Sequence, residues 1–103
     1  MCVTLVGGMA RLERQYREEA SRLGIDLRVF NEREQRLGAC VRGADAVVVF
    51  TNKVSHEARR EAVRSARARE IPVVFSHSCG VCSLRDCLSC LRRGEAGLGE
   101  RSP

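Results

Sequence analysis

The sequence lacks the features of membrane and secreted proteins, and it contains few residues that break regular structure. No apolar run approaches the roughly 18 residues of a membrane span, and no basic region precedes the short apolar part of the N-terminal segment, so we expect no signal peptide. Only 2 of the 103 residues are proline, and we expect one folded domain over residues 1–93. Residues 94–103 are rich in glycine and polar residues, which predicts a flexible tail. We therefore expect a cytoplasmic protein, whose six cysteines favour metal binding, redox chemistry or burial over disulfides.

Aromatic residues and lysine are also scarce. Aromatic residues make up 4% of the chain, and Lys53 is the only lysine although the net charge is +5. The charge would allow nucleic-acid binding, but with so few aromatic residues and no reading motif, nucleic acid is not a favoured partner. We interpret the arginine-rich face of residues 57–68 as a solvated surface, with ion pairs Glu57–Arg60 and Glu61–Arg64.

The remaining pattern alternates strand-like and helix-like segments. Short apolar runs predict strands at residues 2–6, 25–29, 46–50 and 71–75. Stripes of apolar or small residues predict helices over 10–23, from an N-cap at Ser55 to about residue 68, and over 83–92. This order predicts an α/β fold with four parallel strands in the order 2-1-3-4 and helices on both faces, a small three-layer Rossmann-like or flavodoxin-like sandwich.

Such a fold places its ligand site at the carboxyl ends of the strands. Three loops leave the predicted sheet there, after strands 1, 3 and 4, and they contain both histidines and most of the small hydroxyl residues. Ser55 could instead serve only as a helix cap and Thr51 only to satisfy the backbone, with both histidines solvated, but we favour a site. The candidate ligand-binding residues are Gly7, Gly8, Thr51, Asn52, Ser55, His56 and Ser76.

Several short segments around these loops form a recognisable pattern. They are VGG at 6–8, GAD and VVVFT within 43–51, VSH at 54–56, IPVVFSHS at 71–78 and SL at 83–84. In these segments the chain resembles a family of small bacterial proteins known as domain of unknown function 2325. The resemblance extends to about Leu91, and VSH and IPV are its most specific parts. It implies a small Rossmann-like domain and assigns no activity. The clustered cysteines are not part of the family pattern.

The segment SHSCGVCSLRDCLSC, residues 76–90, contains two CxxC pairs and a histidine. Thiolate sulfur is a soft ligand that suits zinc or an iron–sulfur cluster. His77, Cys79 and Cys82 follow the predicted fourth strand, so we predict that they form a metal site for zinc or iron, or a dithiol redox site. His56 could join them from the neighbouring loop, and a haem ligand is a further interpretation of the same residues.

The second cysteine pair falls on the predicted last helix. Leu84, Leu88 and Leu91 form an apolar stripe there, with Cys87 at its edge. At about 100° per residue, a single site for all four thiols would require this helix to break. We therefore expect Cys87 to serve mainly in packing, and keep Cys87 and Cys90 as secondary candidates for half of an intermolecular metal site.

Three other functions are weaker. A small phosphate or nucleotide could bind at the helix starts, but the glycine pair lacks the GxGxxG pattern of dinucleotide sites. A basic nucleic-acid-associated protein is the second alternative. No nucleophile–base–acid set is evident, so the case for an enzyme is thin, and we favour a binding or sensing module that could form a homodimer.

Overall fold

The computed structural model describes residues 1–30, 38, 41–51, 54–78 and 80–92. The connection over residues 31–37 and the predicted tail at 94–103 lie outside the described residues. The elements in chain order are β1 (Cys2–Val6), a 3₁₀ turn (Ala10–Leu12), α1 (Glu13–Arg22), β2 (Asp26–Val29), β3 (Ala46–Phe50), α2 (His56–Ala68), β4 (Val73–Ser76) and α3 (Val81–Arg92).

The four strands form one parallel sheet in the order β2-β1-β3-β4, so the predicted topology is confirmed. Leu5 of β1 pairs with Val48 of β3, and Val48 pairs with Val74 of β4. β2 and β4 are the two edges of the described sheet. The strands β1 and β3 meet at the point where the chain reverses its direction of winding, which is where open α/β sheets form their crevice.

Side-chain alternation along β3 explains why this strand is apolar throughout. Val48 and Phe50 point into a core shared with α1 and α3, while Val47 and Val49 point into a second core beneath α2. All five residues of β3 are fully buried, as expected for a central strand covered on both faces. The sheet is therefore the middle of three layers.

The helices follow the predicted stripes. Tyr16 and Ala20 are the buried positions of α1, and Ala62 and Ala66 are those of α2. Gly24, with φ of 72°, ends the turn after α1 and lets Ile25 donate its backbone N–H to the carbonyl of Ala20 at 2.9 Å. Glycine with a positive φ commonly ends a helix in this way.

Several boundaries differ from the predicted ones by one to three residues. α1 covers Glu13–Arg22, after the 3₁₀ turn Ala10–Leu12, where one helix over 10–23 was predicted, and β4 ends at Ser76, one residue late. β4 begins at Val73 rather than at residue 71, because Pro72 has no backbone N–H, although its carbonyl still accepts from Val47. β2 begins at Asp26, one residue late. α3 begins at Val81, two residues early. None of the helices within the described residues is long and apolar enough to cross a membrane.

Candidate functional site

The loops after β3 and β4 meet at the carboxyl edge of the sheet, as predicted. Phe50 and Ser76 are paired at the ends of these strands, and Thr51 then donates its backbone N–H to the carbonyl of Ser76 at 2.8 Å. The Thr51 hydroxyl lies 3.4 Å from the same carbonyl and 3.2 Å from Nδ1 of His77. Thr51 therefore connects the two loops through both its backbone and its side chain.

The two contacts of the Thr51 hydroxyl are compatible with each other in only one tautomer of His77. A threonine hydroxyl has one proton to donate and lone pairs with which to accept. Both contacts can be hydrogen bonds at once only if the hydroxyl donates to the Ser76 carbonyl and accepts from Nδ1–H of His77. A neutral His77 then carries its unprotonated lone pair on Nε2. The ring is exposed, so Nε2 is accessible to a ligand from solvent.

The described cysteines of the 76–90 segment lie in different environments on α3. Cys82 is exposed on the first turn, whereas Cys87 and Cys90 are partly buried against the core shared with α1. Burial, followed by the neighbouring Cys90 and Asp86, raises the pKa of Cys87 to about 11. Cys87 is thus a neutral thiol at physiological pH, which supports its predicted role in packing.

A single site for all four clustered thiols does not fit this geometry. The helix is continuous from Val81 to Arg92, and Cys82 and Cys87 point about 140° apart on it at about 100° per residue. Among the residues that the structure describes, no three or more His, Cys, Asp or Glu side chains are grouped to hold a metal ion. Cys79 is outside the described residues, so the set His77, Cys79 and Cys82 stays a prediction.

Several candidate ligand-binding residues have clear structural roles. Gly8 leaves room for Tyr16, because a Cβ at Gly8 would lie 2.8 Å from Cε2 of the tyrosine ring. The Ser55 hydroxyl accepts from the backbone N–H of Ala58 at 3.1 Å and so caps α2. The buried Ser76 hydroxyl donates to the carbonyl of Ser78 at 3.0 Å. Gly7 adopts a positive φ of 91°. Asn52 lies outside the described residues, and ligand binding by this set stays a prediction.

A second feature of the surface was not predicted from the sequence. An open cleft of about 690 Å³ lies between α2 and the edge strand β4. It is called the arginine cleft below, and its lining residues are His56, Arg59, Arg60, Val63, Arg64, Arg67 and Phe75. The guanidinium carbon of Arg59 lies 5.0 Å from the centre of the Phe75 ring. The one available sequence signal was Phe75, a large apolar residue whose strand position points it toward the α2 face.

The ion pairs predicted for α2 are not formed. Among the residues that the structure describes, the salt bridges are Arg17–Glu13 and Arg22–Glu19, both on α1. Arg60 and Arg64 are exposed and have no ion-pair partner in this part of the chain.

Comparison with known proteins agrees with the fold and the suspected resemblance. Residues 2–91 match the model of a family described as an uncharacterized protein conserved in bacteria, DUF2325. The chain belongs to the DUF2325 family. The match extends from β1 to the last turn of α3, so it includes the loops at the carboxyl edge and the arginine cleft of this DUF2325 protein. No curated protein matches the chain significantly.

Among solved structures, the chain is similar to the hydroxyethylthiazole kinase protein of Pyrococcus horikoshii OT3. The similarity has a TM-score of 0.60 at 19% sequence identity, over 97% of this chain and 41% of the kinase chain. At this identity the likeness concerns the fold alone. The DUF2325 chain thus spans less than half the length of that protein, and it shares its α/β architecture.

Proposed function

We propose that this DUF2325 protein is a small binding or sensing module whose ligand is a transition metal ion, zinc or iron. The ligands are Nε2 of His77 and the thiolates of Cys79 and Cys82. The observation that carries the proposal is the 3.2 Å contact between the Thr51 hydroxyl and Nδ1 of His77.

A hydrogen bond of this kind is typical of histidines that bind metal ions. Metal-binding histidines almost always donate their other ring N–H to an oxygen, which fixes the ring and leaves the second nitrogen for the metal. Thr51 supplies such an oxygen, and its position is in turn fixed by the backbone hydrogen bond to Ser76 at 2.8 Å. An exposed histidine with no function would gain little from being held by two neighbouring strands.

The thiols supply the rest of the ligand set. Cys82 is exposed on the first turn of α3, close in sequence to His77, and Cys79 precedes it with the CxxC spacing that zinc and iron sites use. Three protein ligands leave a fourth position, which His56 or a solvent molecule could occupy. Without metal, the same pair of thiols would form a dithiol.

The test is anaerobic purification followed by elemental analysis and an absorption spectrum. These measurements separate zinc, an iron–sulfur cluster and haem from one another. Under the proposal, close to one metal equivalent is bound per chain, and the double change Cys79→Ser with Cys82→Ser removes it. The matched control is the change Cys2→Ser, because Cys2 lies at the amino end of β1, away from the carboxyl ends of the strands. This variant should keep its metal.

Two results would overturn the proposal. The first is a wild-type protein that takes up neither zinc nor iron when these are supplied under anaerobic conditions. The second is equal loss of metal on changing Cys79, Cys82, Cys87 or Cys90, which would indicate a four-thiolate site and a broken α3.

A further inference from the structure

We propose that the arginine cleft binds single-stranded nucleic acid. This inference does not rest on the proposed metal site, since the arginines and Phe75 that carry it lie on α2 and on the face of β4 that α2 covers, and His77, Cys79 and Cys82 are not among the lining residues. The sequence alone argued against such a partner because aromatic residues are few. The structure places one of those aromatic residues under an arginine, at the base of a basic cleft.

The charge of the cleft calls for an anion. Arg59, Arg60, Arg64 and Arg67 all line it, and no acidic side chain is among the described residues of the lining. Arg60 and Arg64 are exposed and form no ion pair with any described residue. Such cations can neutralise phosphates and release counterions from a polyanion without first breaking a salt bridge.

The length of the cleft favours a polymer over a single phosphate. Its lining on α2 extends from His56 to Arg67, which at about 1.5 Å per residue is about 16 Å. One phosphate group cannot contact guanidinium groups spread over that distance. A strand with regularly spaced phosphates can.

The contact between Arg59 and Phe75 favours nucleic acid over an acidic peptide. Single-stranded nucleic acids are bound by basic grooves in which bases stack on aromatic rings and on arginine guanidinium planes. Arg59 lies 5.0 Å above the centre of the half-buried Phe75 ring, so ring and guanidinium form a platform open to a base on its outer side. Val63 adds apolar surface beside it. The carboxylates of an acidic peptide would use the charges but not this platform.

The proposal is tested by fluorescence anisotropy with a labelled oligonucleotide of mixed sequence, about 10 nucleotides long, within the span that such grooves cover. We expect binding that weakens between about 50 and 200 mM salt. The double change Arg60→Gln with Arg64→Gln should weaken binding and lower the slope of log K against log salt by about 1.4, from two lost phosphate contacts at about 0.7 each.

The matched control is the double change Arg14→Gln with Arg85→Gln, which removes the same charge from exposed positions on α1 and α3, across the sheet. It should leave the affinity near that of the wild type. Arg59→Lys keeps the charge but removes the guanidinium plane, and should weaken binding severalfold without changing the salt slope. Thermal melts confirm that each variant is folded.

Four outcomes would overturn the proposal. They are absence of oligonucleotide binding at about 50 mM salt, equal weakening by the control pair, equal affinity for a polyglutamate peptide of the same length, and full displacement of the oligonucleotide by a mononucleotide at similar concentration. The last two results would assign the cleft to an acidic protein and to a small nucleotide, respectively. Metal binding at His77 would be unaffected in each case.

Discussion

The ring of Tyr16 packs against Gly8 so closely that any side chain there would overlap it. A Cβ at Gly8 would lie 2.8 Å from Cε2 of Tyr16 and 3.1 Å from Cδ2 of Leu5. The Tyr16 hydroxyl also accepts from the backbone N–H of Met9 at 3.1 Å, and its ring meets that of Phe50 edge to face. The loop after β1 is thus shaped by packing around a buried tyrosine.

The first prediction follows from this packing. Gly8→Ala should destabilise the protein by about 1–3 kcal/mol, because the added methyl group must displace a fully buried ring. Chemical denaturation measures the change. Gly38→Ala is the control: among the residues that the structure describes, its Cβ would meet no atom nearer than 3.9 Å, so this change should not lower the stability. A Gly8→Ala protein as stable as the wild type would mean that Tyr16 is held less firmly than the structure indicates.

The second prediction concerns the centre of the sheet. Val48 is fully buried between Leu5 and Val74, in a strand covered on both faces. Val48→Ala should lower the free energy of unfolding by about 1–2 kcal/mol, from lost burial and a small cavity. Urea denaturation measures this change, and the m-value should stay the same as in the wild type. A change near zero would show that β3 is not the central strand.

How far the sequence predicted this molecule depends on the range of the contacts involved. Burial depends on local patterns that are visible in the sequence, such as the apolar runs at 2–6 and 46–50 and the alanine stripe of α2. These patterns predicted the central strands, the sheet order and the buried helix faces. The role of Gly8 was not, because a glycine pair after a strand resembles a phosphate loop until the docked position of Tyr16 is known.

The arginine cleft was missed for a related reason. Arg59 and Phe75 are 16 positions apart in the sequence, and their contact depends on how α2 packs across β4. Helical spacing suggested that Glu57 and Glu61 would neutralise Arg60 and Arg64. Spacing alone shows which side chains could meet, whereas rotamers and the neighbouring strand decide which do.

The third prediction uses the perturbed thiol on α3. The pKa of Cys87 is raised from 9.0 to about 11 in the folded protein, chiefly by burial. The stabilisation from keeping this thiol neutral is fully present below pH 9.0 and is lost as the pH rises toward about 11, because the unfolded chain ionises first. Stability should therefore fall across that window, and Cys87→Ala should remove this part of the fall.

A second measurement checks the same environment at neutral pH. In the metal-free protein, an alkylating reagent should modify the exposed Cys82 much faster than the partly buried, neutral Cys87, because the thiolate is the reactive form. Peptide mass spectrometry assigns the sites. Equal modification rates in the folded protein would contradict the packing of Cys87 against the core.

The last prediction tests the hydrogen bond on which the proposed metal site depends. If the Thr51 hydroxyl accepts from His77, neutral His77 carries its proton on Nδ1, and long-range ¹H–¹⁵N spectra of the metal-free protein should show that tautomer. Thr51→Val removes the acceptor with little change in shape, so the ring should lose its preference for Nδ1–H. Metal affinity should then fall by about 10–100-fold, as it does when such supporting groups are removed elsewhere.

The control for this prediction is Ser55→Ala. It also removes a hydroxyl at the carboxyl edge of the sheet, but the Ser55 hydroxyl caps α2, so the tautomer of His77 should not change. A wild-type His77 protonated on Nε2 would mean that Thr51 donates to the ring, and the proposed ligand nitrogen would then be unavailable.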